Sequence, residues 1–328
     1  MKKLAFFNHT LCYRGTSKAI FNYMLALPKA FENISLHYIF IKDDPGNRFG
    51  FARHLLDNGI EICGVSTYSE LAEMSYSFDF LYHVTSADSL GLEWFKQIKS
   101  RSTLIHQVGY QPPEYSFSKH FAYTSYWQSY NFTNGSASVL PYIIPPQVGT
   151  LDALHDLRFT LGIPENALVL GRHGGGDTWN LRFASSAVER AVRSRSDLWF
   201  IFVGTPRFCN HERVIFLDSI TSLQELERFF TACDAMIHAR WEGETFGMAC
   251  AEFLSRKKPI ITWSESREQN HIFLSGRSAI TFNSESDLLH MLLSLNKDYL
   301  NHKASLINLQ LLDMYRPEVI VEQFRKYI

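Results

Sequence analysis

Short apolar runs alternate with helical patterns along the whole chain, and this alternation constrains the fold more than any single motif. Strands are expected over 4–7, 36–41, 60–65, 78–84 and 103–108, with 120–124 and 138–144 continuing the set. Helical patterns lie between them over 17–27, 49–57, 69–75 and 90–98. Such a rhythm predicts an α/β chain built on a doubly wound parallel sheet. Pro141, Pro145, Pro146 and Gly149 then break the pattern, and a helical stretch begins at Leu151. The pattern restarts with strands over 167–171, 198–203 and 214–217 and around Ile237 and Ile260, and a helix over 181–192. It closes in helices over 284–295, 303–314 and 317–327. A chain of 328 residues is long enough for two such domains, expected over 1–148 and 149–316.

Residues 234–261 read as one βαβ unit. The apolar run 235–239 is a buried strand, and the loop Arg240-Trp241-Glu242-Gly243-Glu244-Thr245-Phe246-Gly247 follows it. A helix over 248–256 ends in Lys-Lys before Pro259, and the next strand is 259–262. The loop therefore lies at the carboxyl end of a strand, where open α/β sheets bind ligands. Free N–H groups near Phe246, Gly247 and Met248 make an anion site, and Gly247 permits close backbone approach. Glu252 lies about one turn beyond Met248, where a carboxylate suits ribose hydroxyls better than phosphate. Glu244 lies in the loop, on the other side of the anion. Two carboxylates flanking an anion site describe a receptor for a nucleotide-diphosphate sugar. The plainer alternative is an exposed acidic loop with a helix-surface glutamate.

A second candidate loop follows the strand 167–171: Arg172-His173-Gly174-Gly175-Gly176-Asp177. A triple glycine there lets backbone N–H groups wrap a diphosphate that Arg172 neutralises. The alternative is a flexible turn with a surface arginine. Neither the P-loop pattern nor G-x-G-x-x-G is present.

Composition removes several classes. A net charge of −1 gives no bulk electrostatic case for nucleic acid. Five scattered cysteines, odd in number and without C-x-x-C, suggest neither a disulfide framework nor a zinc site; a cytoplasmic protein is expected. The apolar start ends at Asn8, too short for a signal peptide, and no run approaches a membrane span. Any membrane contact would be peripheral. No D-x-D-type acidic pair closes a strand, so no metal and no cofactor are expected.

The run Glu244-Thr-Phe-Gly-Met-Ala-Cys-Ala-Glu252, with Asp-Ala-Met-Ile before it and Lys-Pro-Ile-Ile after it, resembles the E-x7-E block of the retaining GT-B glycosyltransferases of the group-1 (GT4-like) family. The resemblance covers the second half well and the first half by its layout. It implies a GT-B fold, with two Rossmann-like doubly wound domains facing across a cleft, the first on the acceptor side. Residues 317–328 would then cross back to the first domain. It implies a hexosyltransferase-type enzyme that moves a sugar from a nucleotide-diphosphate sugar to a glycan, a lipid-linked or a small-molecule acceptor. Glu244, Arg172 and His106 would be catalytic. Glu252, Phe246, Gly247, Thr245, Met248, Gly174, Gly175, Gly15, Arg182 and His173 would bind the donor. The family carries a lysine a few residues after its arginine; none occurs over 172–182, and Arg182 is the candidate replacement. Gly15 would contact donor or acceptor, and Thr16 or Ser17 would equally cap the first helix. His106, His83 and His238 sit at strand ends, where a histidine either lines the cleft or is a hydrogen-bonded core residue. The aromatic stretch 110–132 suits either sugar stacking or packing. Two alternatives are a non-catalytic nucleotide-sugar-binding scaffold and another GT-B enzyme such as a nucleotide-sugar epimerase.

Overall fold

The computed structural model describes residues 1–85, 93–109, 120–148 and 156–328. The chain forms two compact units: Met1–Pro145 together with Asp313–Ile328, and Pro146–Leu312. In the first unit, strands β1 (Lys2–Phe7), β2 (Ile34–Ile41), β3 (Glu61–Val65), β4 (Phe80–Thr85), β5 (Ser102–Gln107) and β6 (His120–Tyr123) form one parallel sheet in the order β3-β2-β1-β4-β5-β6. All six residues of β4 are buried, because helices cover both faces of a parallel sheet.

The second unit repeats the plan with β7 (Leu168–His173), β8 (Leu198–Val203), β9 (Val214–Leu217), β10 (Ala235–His238), β12 (Ile260–Trp263) and β14 (Ile280–Phe282), ordered β14-β12-β10-β7-β8-β9. A two-residue parallel pair, β11 (Gly243–Glu244) and β13 (Glu268–Gln269), lies outside that sheet. Leu-Trp-Phe-Ile-Phe-Val of β8 contributes Phe200 and Phe202 to a core shared with Leu170, Ile237 and the buried face of the helix Arg182–Ser194.

Some expectations are corrected. Residues 138–144 make only an isolated bridge, Tyr123 to Val139. Pro141 lacks the N–H a ladder needs, and the Tyr23 hydroxyl donates to its carbonyl at 2.8 Å instead. The helix expected over 303–314 is interrupted, giving Lys297–Ser305 and Leu309–Asp313. The helix expected over 90–98 is a short 3-10 turn at Glu93–Gln97, residues 90–92 being outside the described ones; so is Leu151, and the described helix there is Asp156–Thr160. Residues 110–119 of the aromatic stretch 110–132 also lie outside them. Neither Thr16 nor Ser17 caps the first helix: Gly15–Ala26 begins after Arg14 with no side-chain cap, and the buried Ser17 hydroxyl accepts from Asn8 Nδ2 at 2.8 Å.

The final helix, Pro317–Phe324, belongs to the first unit. Phe324 is fully buried there, edge-on to Tyr23 at 5.0 Å and close to Phe6 and Phe80. The backbone N–H of Ile144 donates to the Tyr315 carbonyl at 3.0 Å.

Candidate active site

In the second sheet the winding reverses at β7: β8 and β9 lie on one side, β10, β12 and β14 on the other. Loops at the carboxyl ends of β7 and β10 therefore diverge and leave a crevice, as in other doubly wound sheets. Those loops are Gly174–Gly176 and its flanks, and Arg240–Gly247.

Arg172, near the end of β7, is 2% exposed. Its Nη1 donates to Thr205 Oγ1, and its Nη2 donates to the Gly175 carbonyl at 2.8 Å and to Thr178 Oγ1 at 2.5 Å. These partners are all neutral, and among the described residues no carboxylate forms an ion pair with it. Burial lowers the guanidinium to about 10, with Glu244 and Asp177 opposing, so it stays charged at neutral pH. The glycine loop is closely packed: a Cβ on Gly174 would meet Arg172 Nη2 at 3.4 Å, and one on Gly176 would meet the Gly204 carbonyl at 3.2 Å.

The β10 loop is fastened to the glycine loop's far end. Asn180 donates its backbone N–H to the Ala239 carbonyl at 3.3 Å and accepts from the Trp241 N–H through Oδ1 at 2.7 Å. Arg240 is thus held between those two bonds. Its Nη1 pairs with Glu244 Oε2 at 3.2 Å and its Nε with Glu242 Oε2 at 3.5 Å. The other oxygen of Glu244 is 3.2 Å from His238 Nε2. Burial works to raise the Glu244 carboxyl, but the His238 bond and the Arg240 charge outweigh it and hold the carboxyl at about 2. Glu244 is therefore a carboxylate, able only to accept hydrogen bonds.

Gly247 begins the helix Met248–Ser255 with φ +81°, which glycine adopts without strain. Phe246 is buried and its carbonyl accepts from Asn270 Nδ2 at 2.6 Å, which fixes the helix start. Thr245 and Met248 are half-buried beside it. Cys250, in the first turn, senses the surrounding charges: burial raises its thiol, Glu244 adds to this, and Arg240 and Arg172 oppose it. Both arginines, Glu244 and the helix amino end thus converge on one region.

Glu252 is 1% exposed and meets His173 Nε2 at 3.0 Å. The His173 ring stands among Phe229, Phe230 and Phe253. The expected ribose carboxylate is therefore covered by the histidine that ends β7. Arg182, the first residue of its helix, is exposed and makes no hydrogen bond or ion pair among the described residues.

His106 belongs to the first unit. It lies in the first unit's core, fully buried, with Nδ1 2.5 Å from the Tyr82 hydroxyl and its ring near Tyr142. Burial lowers it to about 3, so it is a neutral packing residue rather than an accessible acid or base. His83 is likewise buried and stacked on Phe7 at 5.0 Å. Gly15 is exposed in the first unit with nothing near its would-be Cβ. Arg240, Thr178, Thr205, Thr262 and His271 carry much of the geometry without having been singled out. Arg240 alone had a local signal, its place in the loop after a buried strand.

Two doubly wound units with this strand order define the class: the fold is GT-B. No family model and no curated protein matches the sequence. Among solved structures, HepE from Anabaena in complex with UDP-glucose is similar with a TM-score of 0.75 at 14% identity, over 99% of each chain. A glycosyltransferase from Rickettsia africae gives 0.69 at 11% identity, over 99% of this chain and 97% of that one. A putative UDP-N-acetylglucosamine 2-epimerase from Listeria monocytogenes gives 0.61 at 14% identity, over 99% and 95%. Among the described residues no helix is long and apolar enough to cross a membrane, and no three His, Cys, Asp or Glu side chains gather as a metal site would need.

Proposed function

We propose that this chain is a retaining glycosyltransferase that moves a sugar, without a metal, from a nucleotide-diphosphate sugar to an acceptor hydroxyl. The observation that carries the reading is Arg172. A buried guanidinium held only by neutral oxygens, in a crevice that also holds a helix amino end, is a site short of one anion. In this reading the second unit binds the donor and the first faces the acceptor. The diphosphate lies against Arg172, the loop 174–176 and the Phe246–Met248 backbone. Glu244 accepts a hydrogen bond from the donor sugar, and the His173–Glu252 pair serves the ribose.

As the bond from the sugar's anomeric carbon to phosphate breaks, its electron pair passes to the diphosphate, where Arg172 and the helix dipole meet the charge. The acceptor oxygen bonds to the same face of that carbon, and its proton goes to the departing diphosphate. The composition supports a cytoplasmic enzyme with no nucleic-acid partner. HepE's complex with UDP-glucose makes UDP-sugars the first donors to try.

The test is a thermal-shift and nucleotide-release panel of UDP-, GDP-, ADP- and dTDP-sugars on the wild type and Glu252→Ala. One nucleotide class should stabilise the wild type, by about 2.7 kcal/mol at a hundredfold excess over Kd, and not the variant. Slow release of that nucleotide would then mark transfer to water. No stabilisation by any donor would sink the reading. The likeness to an epimerase supports a second reading on the same site, recognised by an epimerised sugar appearing in place of a stable transfer product.

A further inference from the structure

We infer that His238, Thr262 and His271 form a one-directional hydrogen-bond chain that positions Glu244, with both histidines carrying their proton on Nε2. The inference rests on the role proposed above for Glu244. The geometry is continuous. Glu244 Oε1 lies 3.2 Å from His238 Nε2; His238 Nδ1 lies 2.9 Å from Thr262 Oγ1; Thr262 Oγ1 lies 3.0 Å from His271 Nε2. Thr262 and His271 are fully buried, His238 is 5% exposed, and the two imidazoles stand 4.7 Å apart.

The direction follows from counting protons. The Glu244 carboxylate only accepts, so His238 Nε2 is the donor. In the inferred chain His238 Nδ1 is the bare nitrogen, and it accepts the single hydroxyl proton of Thr262. Thr262 Oγ1 has only lone pairs left, so His271 must donate to it from Nε2. His271 Nδ1 has no hydrogen-bond partner among the described residues and ends the chain as a bare acceptor. Burial, and after it the neighbouring His238, hold His271 at about 3, which keeps that imidazole neutral at ordinary pH.

The chain thereby occupies one lone pair of Oε1, while Arg240 Nη1, 3.2 Å away, occupies one of Oε2. Each oxygen keeps a lone pair, and the carboxylate plane is locked from both sides. Glu244 is thus aimed to accept from a sugar hydroxyl, and its aim depends on groups that never touch the donor.

The decisive experiment combines two measurements on the full chain. Nitrogen-15 shifts of the imidazoles in the free wild type should show both His238 and His271 as the Nε2–H tautomer; the Nδ1–H form of either would overturn the chain. Thr262→Val keeps the shape and removes the hydroxyl. It should cut kcat for nucleotide release from the best donor by between about ten- and a hundredfold, leave Kd for the sugar-free nucleotide within about twofold, and shift the His271 tautomer. Thr262→Ser should restore kcat. Unchanged kcat in a folded Thr262→Val, or equal losses in kcat and nucleotide binding, would refute the positioning role. If no nucleotide binds the wild type, the proposed function fails and this role with it, while the tautomers still report the chain itself.

Discussion

Arg172 holds a charge in a place where protein alone gives it little return. Burying a cation that has no paired carboxylate costs desolvation energy, and an apolar side chain of similar length avoids that cost. Its partners keep other bonds here: Gly175 still accepts from Thr178 Oγ1 at 2.8 Å, and Thr205 is 3.5 Å from the Val203 carbonyl. Arg172→Met is therefore expected to change folding stability by less than about 1 kcal/mol while weakening diphosphate binding about ten- to a hundredfold. Urea unfolding beside nucleotide titration reads both. A large stability loss with unchanged affinity would make Arg172 a structural residue. Arg172 and Glu244 stood out in the sequence as candidates because each belongs to a short block with its own chemistry. The chain behind Glu244 did not: Thr262 is 24 residues from His238 and 9 from His271, and only strand order brings them together. His106 misled because a strand-end histidine looks the same whether its ring meets a crevice or, as here, Tyr82 and Tyr142.

At the scale of elements, a ladder of only two residue pairs aims the key carboxylate. Gly243 and Glu244 pair with Glu268 and Gln269. Gly243 has φ +75°, and a Cβ there would lie 1.9 Å from the Glu268 carbonyl oxygen. Gly243→Ala must break the pair, at a cost of about 2–4 kcal/mol, and donor turnover should fall with it. Gly162, at φ +67° with nothing near its would-be Cβ, is the comparison: Gly162→Ala should cost only about 1 kcal/mol. Equal melting shifts for the two would remove the argument from close packing. The long strands of both sheets announced themselves as apolar runs such as β8, because burial on both faces leaves no room for polar residues. The pair β11–β13 and the three-residue β14 could not, since elements so short have no period to read. Backbone approach, rather than side-chain pattern, makes them.

Over the whole molecule, buried histidines make stability depend on pH. Burial is the largest cause that brings His83, His106 and His271 down to about 3 from 6.5. Between those values the unfolded chain binds protons that the folded chain refuses. The stability these three histidines contribute is therefore fully present above pH 6.5 and is lost as pH drops toward 3, by up to about 4 kcal/mol per pH unit if all three contribute fully. Glu244, at about 2 against an ordinary 4.5, adds loss in the same direction below pH 4.5. Thermal melts from pH 7.5 to 4.5 should show a steepening fall, and a flat profile would contradict the buried neutral histidines.

The division of the chain also bears on how it is made. A ribosome emits Pro146–Leu312 as an uninterrupted stretch, so the second unit has all its strands and helices before residues 313–328 exist. The first unit, though begun earliest, lacks Phe324 until then, and its Tyr23 and Phe80 have an unfilled neighbour. The half of the protein synthesised first is thus the last to mature. A nascent chain stalled short of Asp313 would carry a finished second unit and a first unit still exposing apolar surface, the form most open to chaperones and proteases.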